Sequence, residues 1–336
     1  MIYRALFMTL IFSSVAVRAQ EDPPVDTVTV VERIQGEAQS LADFVSSDLA
    51  WSFLSEVQRL PPAEARTVYW DHGAERYLSQ GAFDALENVA IEDYTARELP
   101  AESYYDTKYG TPVAYARAIE LLGNTGLESL HGAKVLDYGY GTIGHLRLLA
   151  LGGTTVVGVD VDSFLAALYS EPSDQGPVQT DEGPVGHVSL VDGRWPASDE
   201  AVQAVGDGFD VFLSKNTLKR GYIHPSREVD PKYLIDMGVD DETYLSHLAR
   251  ILKPGGLALL YNLCPPEAGP DEPYVPWADG RSPFTVEQWE AAGFELLAFD
   301  VVDTVPLREM GKRLGWGNAD EMKNLFAWYT LARRND

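Results

Sequence analysis

From His131 onward, short apolar strands alternate with helical segments, and this alternation constrains the fold more than any other feature of the sequence. Parallel strands need a crossover helix between them, so the alternation predicts a parallel sheet covered by helices on both faces. The expected strands are seven: 134–138, 154–160, 185–191, 209–214, 256–263, 294–302 and 324–332. Residues 131–336 are therefore predicted to form an α/β domain with a doubly wound, seven-stranded, mostly parallel sheet whose last strand runs antiparallel.

The apolar residues of region 20–130 have helical rather than alternating spacing. The spacing between 31 and 64 predicts one or two helices that end at Pro61-Pro62, and another helix is expected from about 113 to 122. We therefore expect a mainly helical cap region in front of the sheet. Tyr104, Tyr105 and Tyr109 can line a pocket from this cap, and packing of their rings in the core is the open alternative.

The first 19 residues have the pattern of a secretory signal peptide. A basic start is followed by a mostly apolar run over 5–17, and the small residues Val17 and Ala19 precede Gln20. As a helix this run would be about 20 Å long, which is shorter than the ~30 Å hydrocarbon core of a bilayer. We expect cleavage after Ala19, export to the periplasm or the outside, and no stable membrane insertion afterwards. Without cleavage the protein would stay in the cytoplasm.

The charge balance argues against a nucleic-acid partner. The chain has 26 Lys and Arg against 51 Asp and Glu, a formal net charge of −25, and such a surface repels a phosphate backbone. Its single cysteine, Cys264, and its six histidines show no metal-ligand spacing, so no metal site and no disulfide within the chain are expected. A small-molecule substrate remains the expected partner, and the sequence leaves the oligomeric state open.

A glycine-rich turn follows the first strand of the predicted sheet, where Gly139, Gly141 and Gly144 lead into a helix. Glycines at such a turn let a ligand approach the backbone N–H groups closely. Asp160 ends the next strand, 19 positions after Gly141, where a carboxylate can accept both hydroxyls of a ribose. A nucleoside-containing ligand is therefore favoured, and Asp137 before the turn suits a cationic ligand better than a pyrophosphate.

Four features in this order resemble the class I S-adenosylmethionine-dependent methyltransferases. They are Asp137-x-Gly139-x-Gly141, the strand end at Asp160, Asp192-Gly193, and the turn 253–256. The resemblance covers roughly residues 133–332. It departs from the family pattern at one point, because the third glycine is residue 144 and the family pattern places it at 143. It implies a Rossmann-like fold, S-adenosylmethionine as cofactor, and the following cofactor-binding residues: Asp137, Gly139 and Gly141 beside the methionine part, Asp160 at the ribose, and Asp192 and Gly193 at the adenine. Tyr109 is expected to reach the cofactor from the cap loop.

The segment after the fourth strand is unusually basic for so acidic a chain. In the family this strand end faces the transferring methyl group, so the resemblance implies that Asn216 or His224 orients or deprotonates the methyl acceptor. An anionic or carbonyl-bearing small acceptor would suit the lysines and arginines there, and a solvated loop is the alternative. The expected function is methyl transfer; an inactive nucleoside-binding module and an NAD-dependent oxidoreductase are the alternatives.

Overall fold

The computed structural model describes residues 28–87, 90–107, 110–181, 183–269 and 271–336. The expected signal peptide, 1–19, and the expected cofactor-binding residue Tyr109 lie outside these residues. The N-terminal elements are α1 Val30–Leu41, α2 Asp48–Ser55, β1 Arg66–Asp71, β2 Arg76–Ser79, α3 Gln80–Asp84, β3 Tyr94–Leu99, α4 Glu102–Tyr105 and α5 Ala116–Gly123.

The α/β part of the described chain continues from residue 134 in strict alternation at first. Its elements are β4 Lys134–Tyr138, α6 Gly144–Leu151, β5 Thr155–Asp160, α7 Ser163–Leu168, β6 Gly176–Thr180, β7 Gly183–Asp192, α8 Asp199–Val205, β8 Phe209–Lys215, α9 Arg220–Ile223, α10 Asp241–Ile251, β9 Leu252–Cys264, α11 Val286–Ala291, β10 Phe294–Val302, α12 Thr304–Arg313, α13 Ala319–Met322 and β11 Phe326–Arg334. All seven expected strands are present.

The main sheet has the order β10-β11-β9-β8-β4-β5-β7-β6. Strands β4, β5, β7, β8 and β9 are parallel to their neighbours in the centre, and β11 runs antiparallel between β9 and β10. This confirms the predicted fold class, a doubly wound and mostly parallel sheet with an antiparallel last strand. Within the described residues the sheet has eight strands rather than seven, because the edge strand β6 pairs antiparallel with β7. β6 was not predicted because it begins with Gly176 and Pro177, a pair that is typical of turns.

The cap contains the expected helices and also a three-stranded antiparallel sheet, in the order β2-β1-β3, which the sequence analysis did not predict. The hairpin between β1 and β2 is held by Asp71, whose Oδ1 accepts from the N–H groups of Gly73 and Ala74, both at 2.9 Å. An Asp two residues before a Gly, as in Asp71-His72-Gly73, is a turn signal that could have indicated this hairpin. The sheet packs on α7, where the Tyr77 N–H donates to Ser163 Oγ at 3.1 Å.

The cap and one face of the main sheet share a single hydrophobic core. Ile34, Phe53 and Leu122 of the cap belong to the same buried cluster as Leu146 of α6 and Leu213 of β8. Burial of such side chains stabilises the fold by about 1.5–3 kcal/mol each. The opposite face has its own core, in which Trp195, Tyr244 and Trp289 are buried, among others. The cap therefore covers one face of the sheet as an integral layer.

The third glycine of the turn, Gly144, has a packing role that explains its position. A Cβ at this residue would lie 2.8 Å from Pro112 Cβ and 3.3 Å from the Tyr105 carbonyl oxygen. Tyr105 and Pro112 of the cap lie against the first turn of α6 at this point, and Thr142 Oγ1 donates to the Tyr105 carbonyl at 2.9 Å. A side chain at 144 would therefore push the cap away from α6.

We expect Gly144→Ala to destabilise the protein by about 1–3 kcal/mol, because the added methyl group overpacks a tight contact. Urea unfolding followed by circular dichroism measures the change. Gly36→Ala is the matched control, since Gly36 is exposed on α1 with nothing within 4 Å of its would-be Cβ. That substitution should stabilise by about 0.5–1 kcal/mol. Equal shifts in the two variants would contradict the packing role.

Candidate functional site

A cleft of about 150 Å³ opens where the carboxyl ends of β5 and β7 meet the glycine-rich turn. In open α/β sheets ligands bind at this edge. Six of its lining residues are Tyr140, Asp160, Asp162, Tyr169, Leu190 and Asp192. Asp160 and Asp192 are direct neighbours in the β5–β7 register. The structure thus brings two of the predicted site residues into one cleft.

Asp160 is the most constrained carboxylate of the cleft. Its Oδ1 accepts from the N–H groups of Val161 at 2.7 Å and Asp162 at 3.0 Å, and its Oδ2 accepts from the Gly141 N–H at 3.3 Å. Desolvation by the surrounding protein raises the pKa of Asp160 to about 6, although these backbone donors oppose the rise. The carboxylate is ionised at neutral pH and has lone pairs left for hydroxyl donors from a ligand.

Asp192 lies at the rim of the cleft, beside a cation from the cap. Partial desolvation raises the pKa of Asp192, the guanidinium of Arg76 on β2 lowers it, and the Asp162 carboxylate raises it. Arg76 was not predicted, because its approach to β7 depends on the cap sheet. Gly193 follows Asp192, and a Cβ there would lie 3.0 Å from Ala201 Cβ on α8. Its small size therefore serves the packing of α8.

The turn itself needs its glycines for backbone conformation. Gly139 and Gly141 have φ angles of +77° and +59°, which residues with a side chain rarely adopt. A Cβ on Gly139 would lie 2.0 Å from Thr217 Oγ1, so this glycine lets the chain after β8 lie directly against the turn. Between them, Tyr140 places its buried ring in the wall of the cleft. Sequence analysis missed this aromatic wall.

Asp137 lies on β4, the strand next to β5, and is fully buried. Its Oδ2 accepts a hydrogen bond from Nε2 of His145, on the first turn of α6. Burial lowers the pKa of His145, although Asp137 opposes this, so the imidazole is neutral at pH 7 and carries its proton on Nε2. The Asp137 Oδ1 and the His145 Nδ1 have no hydrogen-bond partner within the described residues. This buried carboxylate oxygen therefore has lone pairs available to a donor from outside the protein.

Lys215, the last residue of β8, completes this buried group. Its Nζ lies 4.9 Å from the centroid of the Tyr115 ring. The imidazole of His145 stacks on the same ring, with 3.5 Å between the two ring centroids. Burial lowers the pKa of Lys215 to about 8, against the influence of Asp137, which raises it. We call Asp137, His145, Tyr115 and Lys215 the polar cluster. His145 and Tyr115 were not predicted, because three separate segments must fold together to form it.

The two predicted acceptor-side residues have partners within the protein. Asn216 has a φ of +67° just after β8, and its Oδ1 accepts from the Leu263 N–H at 2.7 Å, which ties β8 to β9. His224 is half exposed and bonds Asp241 at the start of α10, with Nε2 2.9 Å from Oδ2. His224 does not line the cleft.

For two of the cap tyrosines, the alternative of core packing is confirmed. Tyr104 and Tyr105 are buried, and their hydroxyls donate to Asp174 Oδ1 at 2.7 Å and to the Pro61 carbonyl at 2.9 Å. Neither lines the cleft. Their aromatic side chains therefore stabilise the contact between the cap and the sheet.

In the part of the chain that the structure describes, no three His, Cys, Asp or Glu side chains are grouped so as to hold a metal ion. None of the described helices combines the length and apolarity that crossing a bilayer demands.

Comparison with known proteins finds matches among solved structures. No protein-family profile and no curated protein sequence matches the chain. Similar solved structures include an S-adenosylmethionine-dependent methyltransferase of Mesorhizobium loti, with 16% identity, a TM-score of 0.38, and 66% of this chain and 98% of that chain covered. A phosphoethanolamine N-methyltransferase of Haemonchus contortus has 16% identity and a TM-score of 0.40, with 72% and 63% covered. The cyclase SpnF has 18% identity and a TM-score of 0.38, with 66% and 82% covered. The enzyme activities in these names belong to those proteins, and the comparison assigns none of them to this chain.

Proposed function

We propose that the protein binds S-adenosylmethionine at this edge of the sheet and transfers its methyl group to a small acceptor. The observation that carries the proposal is the cleft in which Asp160 and Asp192 lie side by side, next to the glycine-rich turn. Asp160 would accept the two ribose hydroxyls, and Asp192 would accept the adenine amino group. Tyr140 would provide an apolar wall for the base.

The polar cluster fits the other end of the same ligand. The orphaned Oδ1 of buried Asp137 offers an acceptor for an ammonium group, and the same carboxylate opposes a pyrophosphate, as a nicotinamide cofactor would require. The cofactor supplies a methyl group already activated on a sulfonium. The protein then has to align the acceptor with that carbon and exclude water, which can contribute several of the roughly 7–11 kcal/mol available from proximity. Asn216 and His224 remain proposals for the acceptor side.

Titration calorimetry of the purified protein with S-adenosylmethionine, S-adenosylhomocysteine and NAD tests this proposal. We expect both sulfur nucleosides to bind and NAD not to bind. Tight NAD binding would contradict the cofactor assignment. Release of S-adenosylhomocysteine in a screen of small anionic and phenolic compounds then tests methyl transfer, and binding without turnover on any of them would favour a nucleoside-binding module.

The affinity for S-adenosylhomocysteine should fall when the pH is lowered through about 6. Ribose hydroxyls donate to the ionised form of Asp160, and the pKa of about 6 means that protonation removes this acceptor at lower pH. Between about pH 7 and pH 5 we expect a loss of about tenfold in affinity, because one proton is taken up. Calorimetry across this range measures it. Asp160→Asn should flatten the profile, and an unchanged slope in that variant would assign the proton to another group.

A further inference from the structure

Two groups of opposite charge lie buried at neighbouring strand ends and do not pair with each other. Asp137 on β4 is 0% exposed and Lys215 on β8 is 7% exposed. In the β4–β8 register Asp137 lies opposite Leu213, two residues before Lys215, and the Asp137 carboxylate raises the pKa of Lys215 against the effect of burial. Nevertheless, no carboxylate of the described residues lies within 4.0 Å of the Lys215 ammonium, and Oδ1 of Asp137 has no partner there either.

The other basic residues that follow β8 are occupied. Lys219 Nζ donates to the Leu263 carbonyl at 2.5 Å, and Arg220 Nε donates to Asp279 at 2.7 Å. His224 is paired with Asp241. Lys215 differs from these residues, because the contact that the structure gives its ammonium is the face of the Tyr115 ring. Cation–π attraction is weaker than a charge-assisted hydrogen bond to a carboxylate.

A buried charge without a partner of opposite charge is costly, so two opposite charges held apart suit a ligand that has both complementary charges. An α-amino-acid group has an ammonium and a carboxylate on the same carbon. Its ammonium can donate to Asp137 Oδ1 while its carboxylate accepts from Lys215 Nζ. Contacts within the polar cluster fix the positions of both binding groups. The Tyr115 ring contacts both His145 and Lys215, and His145 donates a hydrogen bond to Oδ2 of Asp137.

We propose that Lys215 is a binding residue for the carboxylate of an α-amino-acid group, and that the methionine end of S-adenosylmethionine supplies this group. The inference rests on the proposed function and adds to it a residue and a charge pattern. His145 is then a positioning residue, which directs Oδ1 of Asp137 toward the ammonium by holding Oδ2. A free amino acid bound as methyl acceptor has the same chemistry, and the experiment separates the two sources.

The test compares S-adenosylhomocysteine with 5′-methylthioadenosine, which keeps the nucleoside and the thioether and lacks the amino-acid group. Calorimetry on the full chain should show that Lys215→Met weakens S-adenosylhomocysteine binding by about tenfold or more, the effect of one lost charge-assisted hydrogen bond. The affinity for 5′-methylthioadenosine should stay within about twofold. Lys215→Arg, which keeps the charge, should restore part of the loss.

Lys219→Met is the matched control, because it removes a buried amine of the same segment that is bonded to a backbone carbonyl outside the polar cluster. The ratio of the two affinities should be unchanged in this variant. Should Lys215→Met fail to fold by circular dichroism, decarboxylated S-adenosylhomocysteine gives the answer on the wild type. It should then bind about tenfold or more weakly than the complete ligand.

Several results would overturn the assignment. These are an unchanged affinity for S-adenosylhomocysteine in Lys215→Met, or an equal loss for both nucleosides. For the wild-type protein, equal affinities for decarboxylated S-adenosylhomocysteine and for S-adenosylhomocysteine would also overturn the assignment. Free methionine that binds together with saturating S-adenosylhomocysteine, and loses its affinity in Lys215→Met, would assign the residue to an acceptor. Wild-type protein that binds neither nucleoside overturns the proposed function and the cofactor assignment together, a result distinct from all of these.

Discussion

Replacing Asp160 with Ala is expected to weaken S-adenosylhomocysteine binding by about a hundredfold. Two ribose hydroxyls would each lose a hydrogen bond to a charged acceptor, worth roughly 1.5–3 kcal/mol apiece. The substitution also frees the backbone N–H of Gly141, which Asp160 accepts at 3.3 Å, so the turn beneath the ligand would loosen. Titration calorimetry measures the affinity, and circular dichroism confirms that the variant is folded.

Asp210→Ala is the control for this prediction. Asp210 lies near the start of β8 and bonds Lys253 Nζ at 2.7 Å, at the end of the sheet opposite to the cleft. Its loss should change stability but leave the affinity for the nucleoside unchanged. If Asp160→Ala bound S-adenosylhomocysteine as tightly as the wild type, the ribose assignment would be wrong.

Asp174→Ala should lower the free energy of unfolding by about 3–5 kcal/mol, the range for breaking a buried ion pair. Asp174 is 2% exposed, and its carboxylate lies 3.1 Å from Arg66 and 3.8 Å from Arg147. It also accepts the hydroxyl of Tyr104 at 2.7 Å. Without the carboxylate, Arg66 and Arg147, whose side chains are 18% and 12% exposed, lose the acidic partner that they share.

Urea unfolding of Asp174→Ala and of Asp320→Ala makes the comparison. Asp320 bonds Lys323 at 2.7 Å in an exposed pair on α13, and water screens such a pair almost completely. The midpoint of Asp320→Ala should equal that of the wild type. A small effect of Asp174→Ala would mean that the apolar core alone joins the cap to the sheet.

The sequence predicted the main sheet well because its central strands are mostly apolar and buried, as in β4 and β5, and because helices separate them. β6 and the cap sheet were not predicted, because their strands contain few buried apolar residues. The burial of β3 alternates poorly, with four exposed residues in succession before Leu99. Strands of this kind are defined by pairing with partners far away in the chain, which local patterns do not record.

The candidate site divides in the same way. Asp160 and Asp192 were predictable, because a residue at a strand end has its place fixed by the sheet. The polar cluster was not, because Tyr115, His145 and Lys215 come from the segment before α5, the start of α6 and the end of β8. His145 had one usable signal, its place directly after Gly144 on the helix that follows the turn. Its hydrogen bond to Asp137 depends on how α6 packs against β4.

The core shared by the cap and the sheet has a consequence for how such a protein can change in evolution. Ile34, Phe53 and Leu122 are buried against Leu146 of the α/β part, and Arg76 of the cap contributes to the charge around Asp192. A recombination breakpoint near residue 130 would expose an apolar layer and remove a cation beside the cleft. New ligand specificity would therefore arise through substitutions within the existing cap, because exchange of the cap as a module would destabilise the fold.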